Sequence, residues 1–284
     1  MLKKYKILFL FMGIILNCSF ALNAESLLNF SKEMTSVRTE LDFNKLQAIQ
    51  TSPFSYFSEV AQKEEVTRLI FVRHGESNSN KEKSIAGRTF NSDLSELGIV
   101  QAQEVGILLN GTPVQIDAVF SSPMKRTTDT ANHILSRMDN ALELAVTYDA
   151  RLHEKWYGPY EGATEAEYAL VKKREEIDVR SLATFGEKFT YKTHPDMESL
   201  HEVSVRVVDF IKAIQKDCAN QNILVATHGG TMKSLFMADA AFHGFEIEYR
   251  AFELGNCAIV VLEVGSNGDM QIVATTGLKF RHVK

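Results

Sequence analysis

Three stretches of this sequence place arginine or histidine beside glycine or proline, directly after a short apolar run. The three stretches are Arg73-His74-Gly75-Glu76, Ser122-Pro123 with Arg126, and His228-Gly229-Gly230. Arginine suits a phosphate group because its planar guanidinium donates two hydrogen bonds at once. Two arginines and two histidines that meet at one place would form a concentrated anion site. The pattern therefore predicts that the protein binds a phosphorylated molecule.

His74 is the candidate nucleophile of this site. Its imidazole is neutral near pH 7 and can attack phosphorus to give a phosphohistidine. The guanidinium groups of Arg73 and Arg126 would lower the pKa of His74 and stabilise charge on the transferring oxygens. Such chemistry also needs an acid that protonates the leaving alkoxide. We predict that Glu154 is this acid, because the aromatic residues that follow it would shield its carboxyl group from water.

The backbone around these side chains is also expected to favour an anion. Gly229 and Gly230 allow the chain to approach a ligand closely where a helix begins. Arg126 is expected in the first turn of another helix, where exposed N–H groups attract anions. Both features predict that the ligand lies against the starts of two helices.

From residue 66 onward, short apolar runs alternate with helical stretches. Such runs are typical of strands buried on both faces of a parallel sheet, and ligands bind beyond the carboxyl ends of these strands. We therefore predict an α/β fold, a three-layer α/β/α sandwich with a mainly parallel sheet. The predicted elements are strands at 69–72, 116–120, 142–148 and 223–227, helices at 95–109, 125–138 and 199–218, a helical and loop insert at 164–200, and a hairpin of strands 258–264 and 270–275.

The N-terminal stretch differs in composition from this alternating region. Residues 1–24 combine lysines, an apolar run and small residues, which is typical of a secretory signal peptide. The apolar run at 7–16 is shorter than the roughly 20 residues of a membrane-spanning helix. This predicts an exported protein, periplasmic or secreted, without stable membrane insertion after signal removal; a membrane anchor is the alternative. Residues 25–64 are predicted to form an N-terminal helical extension of the domain at 65–284.

Composition narrows the classes of partner. The chain has 284 residues, 45% of them hydrophobic, and a formal net charge of -5. This acidic balance argues against a nucleic-acid partner. Cys218 and Cys257 would pair as a disulfide in an exported protein or stay as two buried thiols, and the sequence leaves both alternatives open. It also leaves the oligomeric state open.

Taken together, the motifs resemble those of the histidine phosphatase superfamily, in its phosphoglycerate-mutase-like branch, over residues 66–284. Residues 73–77 with Asn80 resemble the signature that carries the phosphorylated histidine and a phosphate-contacting asparagine. Gly87 belongs to the next matching segment and is expected to line the mouth of the site or to make a turn. The later matching segments are Leu94–Gly98, Ser122–Arg126 with Thr130, Leu152–Glu154 with Gly158, and Thr227–Gly230.

The resemblance implies a two-step reaction. His74 attacks a phosphomonoester while Glu154 protonates the leaving oxygen, and water activated by Glu154 then hydrolyses the phosphohistidine. The substrate implied is a small phosphorylated metabolite or another phosphomonoester, with no metal or other cofactor. The residues expected to hold the phosphoryl oxygens are Arg73, Arg126, His228 and Asn80, with Gly229 beside them.

Two alternatives stay open at this point: a phosphoglycerate mutase-type phosphotransferase, and a non-catalytic phosphate-binding module of the same fold. Mutases of the family usually carry tryptophan where this chain has Ser79. A mutase also needs a strongly basic insert to hold its bisphosphorylated cofactor, whereas acidic residues offset the basic ones at 164–200. Both departures favour a hydrolase. A binding module would not require the acid Glu154.

Overall fold

The computed structural model describes residues 56–57, 66–139, 143–243 and 252–280. Within these residues, one mixed sheet carries helices on both faces. The strands are β1 Val66–Arg73, β2 Ala118–Ser121, β3 Val146–Tyr148, β4 Asn222–Thr227, β5 Phe252–Gly265 and β6 Met270–Phe280. The helices are α1 Asn78–Lys81, α2 Glu96–Asn110, α3 Lys125–Leu135, α4 Glu165–Ser181, α5 Phe185–Thr190, α6 Leu200–Asp217 and α7 Gly229–Phe242.

The strand order β3-β2-β4-β1-β5-β6 explains why three distant turns meet. Strands β3, β2, β4 and β1 run parallel, whereas β5 and β6 form an antiparallel hairpin at one edge. Arg73 lies opposite Thr227 across β1 and β4, and Ser121 lies opposite Ala226 across β2 and β4. The turns that follow these three strands therefore begin at the same edge of the sheet.

The side chains of β1 show the three layers directly. Leu69 and Phe71 pack in a core with residues of α6 and α7, while Ile70 and Val72 pack in a second core with residues of α2 and α3. Successive residues of a strand point to opposite faces, so an uninterrupted apolar strand needs cover on both. This arrangement confirms the predicted α/β/α sandwich with a mainly parallel sheet.

Several predicted boundaries shift in the structure. Strand β2 begins two residues later than predicted, although Ile116 is buried in the second core. Helix α3 ends at Leu135 rather than 138. Of the strand predicted at 142–148, residue 142 lies outside the described residues, and within 143–148 only Val146–Tyr148 form a strand, at the sheet edge. The closing hairpin is longer than predicted because β5 and β6 continue to pair with each other beyond the end of β1. The 164–200 insert forms α4 and α5.

The predicted signal peptide at 1–24 lies outside the described residues, as does most of the 25–64 extension. Of that extension the structure describes Tyr56 and Phe57. Phe57 is fully buried in the second core, and the Tyr56 hydroxyl donates to the carboxylate of Glu263, which also accepts from Arg68. This short segment therefore packs on the same core as the α/β domain.

Two further features can be read from the described ranges. Cys218 and Cys257 are both free thiols. Of the two alternatives left open by the sequence, the structure therefore shows two unpaired thiols and not a disulfide. Among the helices in the described part of the chain, none combines the length and apolar character needed to cross a membrane.

Candidate active site

The carboxyl ends of the parallel strands open into a cavity of about 310 Å³. Its volume suits a small molecule rather than a polymer segment. The predicted site residues that line it come from four separate parts of the chain. They are Arg73, His74, Asn80, Arg126, Glu154 and Gly229.

The tautomer of His74 follows from its hydrogen bond. Nδ1 lies 2.8 Å from the carbonyl oxygen of Gly75, which can only accept, so Nδ1 carries a proton. Burial, together with the charges of Arg126 and Arg73, lowers the pKa of His74 well below its usual value. The ring is therefore neutral at neutral pH, and its Nε2 carries a lone pair. A neutral imidazole with an unprotonated nitrogen in a cavity that two arginines line can act as a nucleophile.

Backbone contacts hold the turn that carries this histidine. The N–H of His74 donates to the Thr227 carbonyl at 2.9 Å, which continues the β1–β4 pairing by one residue. The N–H of Gly75 donates to Thr130 Oγ1 at 3.0 Å. Thr130 lies on α3, one turn after Arg126. The nucleophile and the second arginine are therefore positioned by the same helix.

Arg126 is almost completely buried but well supported. Its Nη2 donates to the carbonyl oxygens of Gly87 and Ala86 at 3.0 and 3.3 Å, and its Nη1 contacts the Phe90 carbonyl at 3.4 Å. Burial lowers the pKa of Arg126 to about 10, which still leaves the guanidinium charged at neutral pH. The 86–90 loop thus fixes a buried positive charge at the cavity wall.

Arg73 supplies the second positive charge. Its Nη1 donates to the Leu254 carbonyl at 2.5 Å. Its Nε is buried and has no hydrogen-bond partner among the described residues. A β-carbon at Gly229 would lie 3.3 Å from that Nε, so the absence of a side chain there leaves room for the guanidinium. A buried, unsatisfied guanidinium donor beside a cavity is expected where the ligand is an anion.

His228 and Gly87 lie behind the cavity wall. His228 is fully buried; its Nδ1 accepts from Arg126 Nε at 3.2 Å, and its Nε2 lies 2.9 Å from Ser122 Oγ. Burial and the charge of Arg126 lower the pKa of His228 well below its usual value, so the neutral ring donates from Nε2 to Ser122. The His228 ring centroid is 5.3 Å from that of His74. In this structure His228 and Gly87 both contact Arg126.

Glu154 is held at the start of α7. Its Oε1 accepts from the N–H groups of Lys155 at 2.8 Å and Thr231 at 3.2 Å, and its Oε2 accepts from Gly230 at 3.2 Å. The first N–H groups of a helix have no partner within the helix, so they are available to a carboxylate. This loop glutamate therefore has a fixed position in the same cavity as His74.

Behind Glu154 lies an ion-pair network that motif spacing did not predict. Glu198 is paired with Arg206 at 3.1 Å and with Arg88. Arg206 Nη2 and Arg88 Nε each donate to the Glu154 carbonyl oxygen at 3.2 Å. Burial would raise the pKa of Glu198, but the hydrogen bonds and charges of the two arginines outweigh it and lower that pKa. A sequence signal for it is Glu198-Ser199 directly before α6, where the family that the motifs resemble commonly has Gly-Glu-Ser and this chain has Met197 in place of the glycine.

The contact between Glu154 and α7 gives a first prediction. A β-carbon at Gly230 would lie 2.4 Å from Glu154 Oε1, so Gly230→Ala must displace the carboxylate. We expect kcat for an alkyl phosphate to fall about 100-fold, because a shift of about 1 Å in a reacting group has effects of this size. Steady-state phosphate release measures it.

Gly111→Ala is the matched control for Gly230→Ala. At Gly111 the nearest atom to an added β-carbon is 3.4 Å away, an ordinary contact, so this variant should keep wild-type activity. Full activity of Gly230→Ala would show that turnover does not depend on the position of the Glu154 carboxylate at the start of α7.

The two buried histidines give a second prediction. His74 and His228 stay neutral in the folded protein, whereas in the unfolded chain each takes up a proton below about pH 6.5. The unfolded state then binds more protons, so the free energy of unfolding should decrease as pH falls below about 6.5. Each histidine contributes up to about 1.4 kcal/mol per pH unit. Urea unfolding over a pH series measures this slope.

Comparison with His228→Asn separates the histidine contribution from that of the carboxylates. The variant should lose the share of one histidine from the slope between about pH 6.5 and 5. An unchanged slope would contradict a His228 that is neutral in the folded state.

Within the described ranges, no group of three His, Cys, Asp or Glu side chains is placed to hold a metal ion.

A model of the histidine phosphatase superfamily (branch 1) matches residues 69–275. The chain belongs to the histidine phosphatase superfamily. The match confirms the resemblance predicted from the motifs, and it includes all three turns that meet at the cavity.

Individual members of the superfamily show how far the similarity extends. The chain is 36% identical over 146 residues to the fructose-2,6-bisphosphatase TIGAR of Mus musculus, covering 51% of this chain and 50% of that protein. It is 29% identical over 181 residues to the 2,3-bisphosphoglycerate-dependent phosphoglycerate mutase of Bartonella tribocorum, covering 63% and 84%. The chain thus spans about half the length of the bisphosphatases that it matches.

Solved structures support the fold. The phosphoglycerate mutase of Bacillus anthracis superimposes with a TM-score of 0.61 at 19% identity, covering 74% of this chain and 92% of the mutase. At this identity the similarity shows a shared fold, and activity must be argued from the residues of the site.

Proposed function

We propose that this histidine phosphatase superfamily member hydrolyses phosphomonoesters through a phosphohistidine on His74. One observation carries the proposal: His74 is neutral, protonated on Nδ1, and lies with two arginines in one small cavity. A nucleophile and a phosphate-binding pair would both be needed for transfer, and binding alone would not need the unprotonated Nε2.

In the first step, Nε2 of His74 attacks phosphorus and an N–P bond forms as the ester P–O bond breaks. Glu154 gives a proton to the leaving oxygen, and the alcohol departs. In the second step, Glu154 takes a proton from water as the water oxygen attacks phosphorus. The N–P bond breaks, inorganic phosphate leaves, and His74 regains its lone pair.

The surrounding residues stabilise the charge of the transferring group. Arg73 and Arg126 offer guanidinium donors, and Asn80 offers a side-chain amide at the same cavity wall. His228 supports Arg126 from behind through its Nδ1. Arg126 is almost completely buried, so its charge acts more strongly on a ligand than a charge at an open surface would.

The charge of the cavity indicates the class of substrate. Five arginine and lysine side chains line it against three glutamates, in a chain whose net charge is -5. The lysines are Lys83, Lys172 and Lys233. This excess supports a small phosphomonoester with a second anionic group, and the name of the mouse relative, a fructose-2,6-bisphosphatase, agrees with a bisphosphate.

A substrate panel tests both parts of the proposal. The full chain is incubated with nitrophenyl phosphate, with glycerol phosphate and with a sugar bisphosphate, and phosphate release is followed. We expect release from all three, with the highest kcat/KM for the bisphosphate. No release from any of them, with phosphate still bound, would favour a non-catalytic binding module instead.

Lys83 allows a sharper test of the second anionic group. Lys83→Met should lower kcat/KM about tenfold for the bisphosphate and leave nitrophenyl phosphate nearly unchanged, because only the bisphosphate has a second anionic group for Lys83 to bind. Lys81→Met is the control, since Lys81 is exposed and does not line the cavity. Equal losses on both substrates would argue against a second anion site.

A phosphoglycerate mutase-type transferase is the second candidate. It is supported by two phosphoglycerate mutases that this chain matches over 84% and 75% of their length. It predicts transfer of phosphate between two hydroxyls of a sugar acid, dependent on a bisphosphate primer. The same incubation with a primer distinguishes the two activities, since a hydrolase releases inorganic phosphate without it.

We further propose that the enzyme acts after export. The support is the lysine-rich start, apolar run and small residues of positions 1–24. Cell fractionation and N-terminal sequencing should find a mature chain that begins after Ala21 or Ala24. A full-length chain held in the membrane fraction would favour the anchor, and a full-length cytosolic chain would contradict export.

A further inference from the structure

A distortion in β5 lies next to the turn of His74. The register between β5 and β6 shifts by three residues between Leu254 and Ile259, which marks a long bulge or other irregularity in the strand pairing, called the bulge below. Within it Cys257 has φ 55°, a left-handed conformation that costs energy for a residue with a side chain. Bulges commonly re-aim a side chain near an active site. The side chain to consider is that of the preceding residue, Asn256.

Asn256 reaches the phosphate-binding turn from this bulge. Its Nδ2 donates to the His74 carbonyl oxygen at 3.2 Å and to Asn80 Oδ1 at 3.0 Å. The backbone N–H of Cys257 also approaches the His74 carbonyl, at 3.4 Å. Asn256 is half-buried and does not line the cavity. It therefore contacts two residues of the site without facing the substrate.

Two hydrogen bonds, one of them from Asn256, determine which end of the Asn80 amide faces the cavity. Asn80 Oδ1 accepts from the N–H of Ser77 at 3.3 Å as well as from Asn256. With both lone pairs of this oxygen used, the NH₂ group remains to face the cavity that Asn80 lines. A phosphoryl group presents only acceptors, so an amide with its NH₂ outward attracts it and one with its oxygen outward repels it.

We propose that Asn256 is a positioning residue that fixes the amide orientation of Asn80, and through it the affinity of the site for the phosphoryl group. The inference rests on the proposed phosphate-binding role of Asn80. Sequence spacing does not reveal it, because 176 residues separate the two asparagines. The bulge is what brings them together.

A double-mutant cycle on the full chain tests this role. Asn256→Ala and Asn80→Ala are made singly and together, and affinity for inorganic phosphate is measured by calorimetry beside kcat/KM for nitrophenyl phosphate. We expect Asn256→Ala to lower both about tenfold, the usual size for one charge-assisted hydrogen bond. In the Asn80→Ala background the same change should have less than about a twofold effect. A tenfold effect that persists there would overturn the proposal.

Asn256→Asp provides a second, nearly isosteric variant. Its carboxylate cannot donate and would instead accept from Asn80 Nδ2, which turns the Asn80 oxygen toward the phosphate. We expect a loss of about 100-fold, larger than for alanine, and a large part of it should disappear in the Asn80→Ala background. A loss no greater than that of Asn256→Ala would contradict the orientation argument. This variant also serves if Asn256→Ala does not fold.

Asn267→Ala is the matched control, since Asn267 lies in the turn of the same hairpin and hydrogen-bonds an aspartate there. It should change neither phosphate affinity nor turnover. Because phosphate binding does not require turnover, a wild-type chain that binds phosphate without hydrolysis would count against the proposed reaction while the cycle still tests Asn256.

Discussion

Replacing His74 with alanine is expected to lower the rate of phosphate release by about 10,000-fold or more, with little change in the affinity for inorganic phosphate. The variant loses the only atom proposed to bond to phosphorus, and removal of a nucleophile has effects of this order. The arginines remain, so the anion is still bound. Phosphate release and calorimetry on the same preparation measure both quantities.

A trapping experiment gives this prediction its second readout. A brief reaction of the wild-type chain with radiolabelled substrate, stopped in alkali, should leave label on the protein that acid removes, because a phosphohistidine is acid-labile. His74→Ala should carry no label, and His133→Ala should behave like wild type, since His133 lies on α3 outside the cavity lining. Full activity of His74→Ala would overturn the proposed mechanism.

Replacing Glu154 with glutamine should divide substrates by their leaving group. Turnover of an alkyl phosphate should fall by about 100- to 10,000-fold, the range typical of a lost general acid. Nitrophenyl phosphate should lose much less in the first step, because its leaving group is stable without a proton. Glutamine retains the size of the side chain and one oxygen that can accept from Lys155 and Thr231, but it loses the oxygen that accepts from Gly230. A shift of the side chain would slow both substrates, so the difference between the two substrates reports proton transfer.

The controls for Glu154 separate chemistry from position. Glu96→Gln removes an exposed carboxylate in the first turn of α2 and should leave both substrates unaffected. Burst kinetics with nitrophenyl phosphate should show fast labelling of His74 followed by slow hydrolysis in Glu154→Gln, since the second step also needs the carboxylate. Equal losses on both substrates without a burst would argue against an acid role.

Local pattern was sufficient for the main features of the fold. The apolar stretch of β1 predicted a strand covered on both faces, and successive residues of this strand do pack in two separate cores. The local pattern did not predict where the strands end. Strands β5 and β6 are longer than predicted because they pair with each other, and this pairing is not visible in either stretch alone. The length of the edge strand β3 was overestimated. Its three residues are half-buried or exposed, so no buried apolar run marks where the strand begins and ends.

The sequence by itself determined the chemical groups of the site: the order of the turns placed Arg73, His74, Arg126 and Glu154 in one family pattern. Only the tertiary structure decided how these groups are held. The hydrogen bond of His74 to its neighbour's carbonyl selects the tautomer, and burial beside two guanidinium groups keeps the ring neutral.

The supporting residues were decided by tertiary structure for the same reason. Arg206 and Arg88 meet at the Glu154 carbonyl, and Asn256 meets Asn80, although each pair is separated by at least 52 residues of chain. Motif spacing reports residues near one another along the chain, whereas these hydrogen bonds depend on sheet register and on a bulge. The chemistry of this site is therefore visible in the sequence, and its geometry arises only from the packed fold.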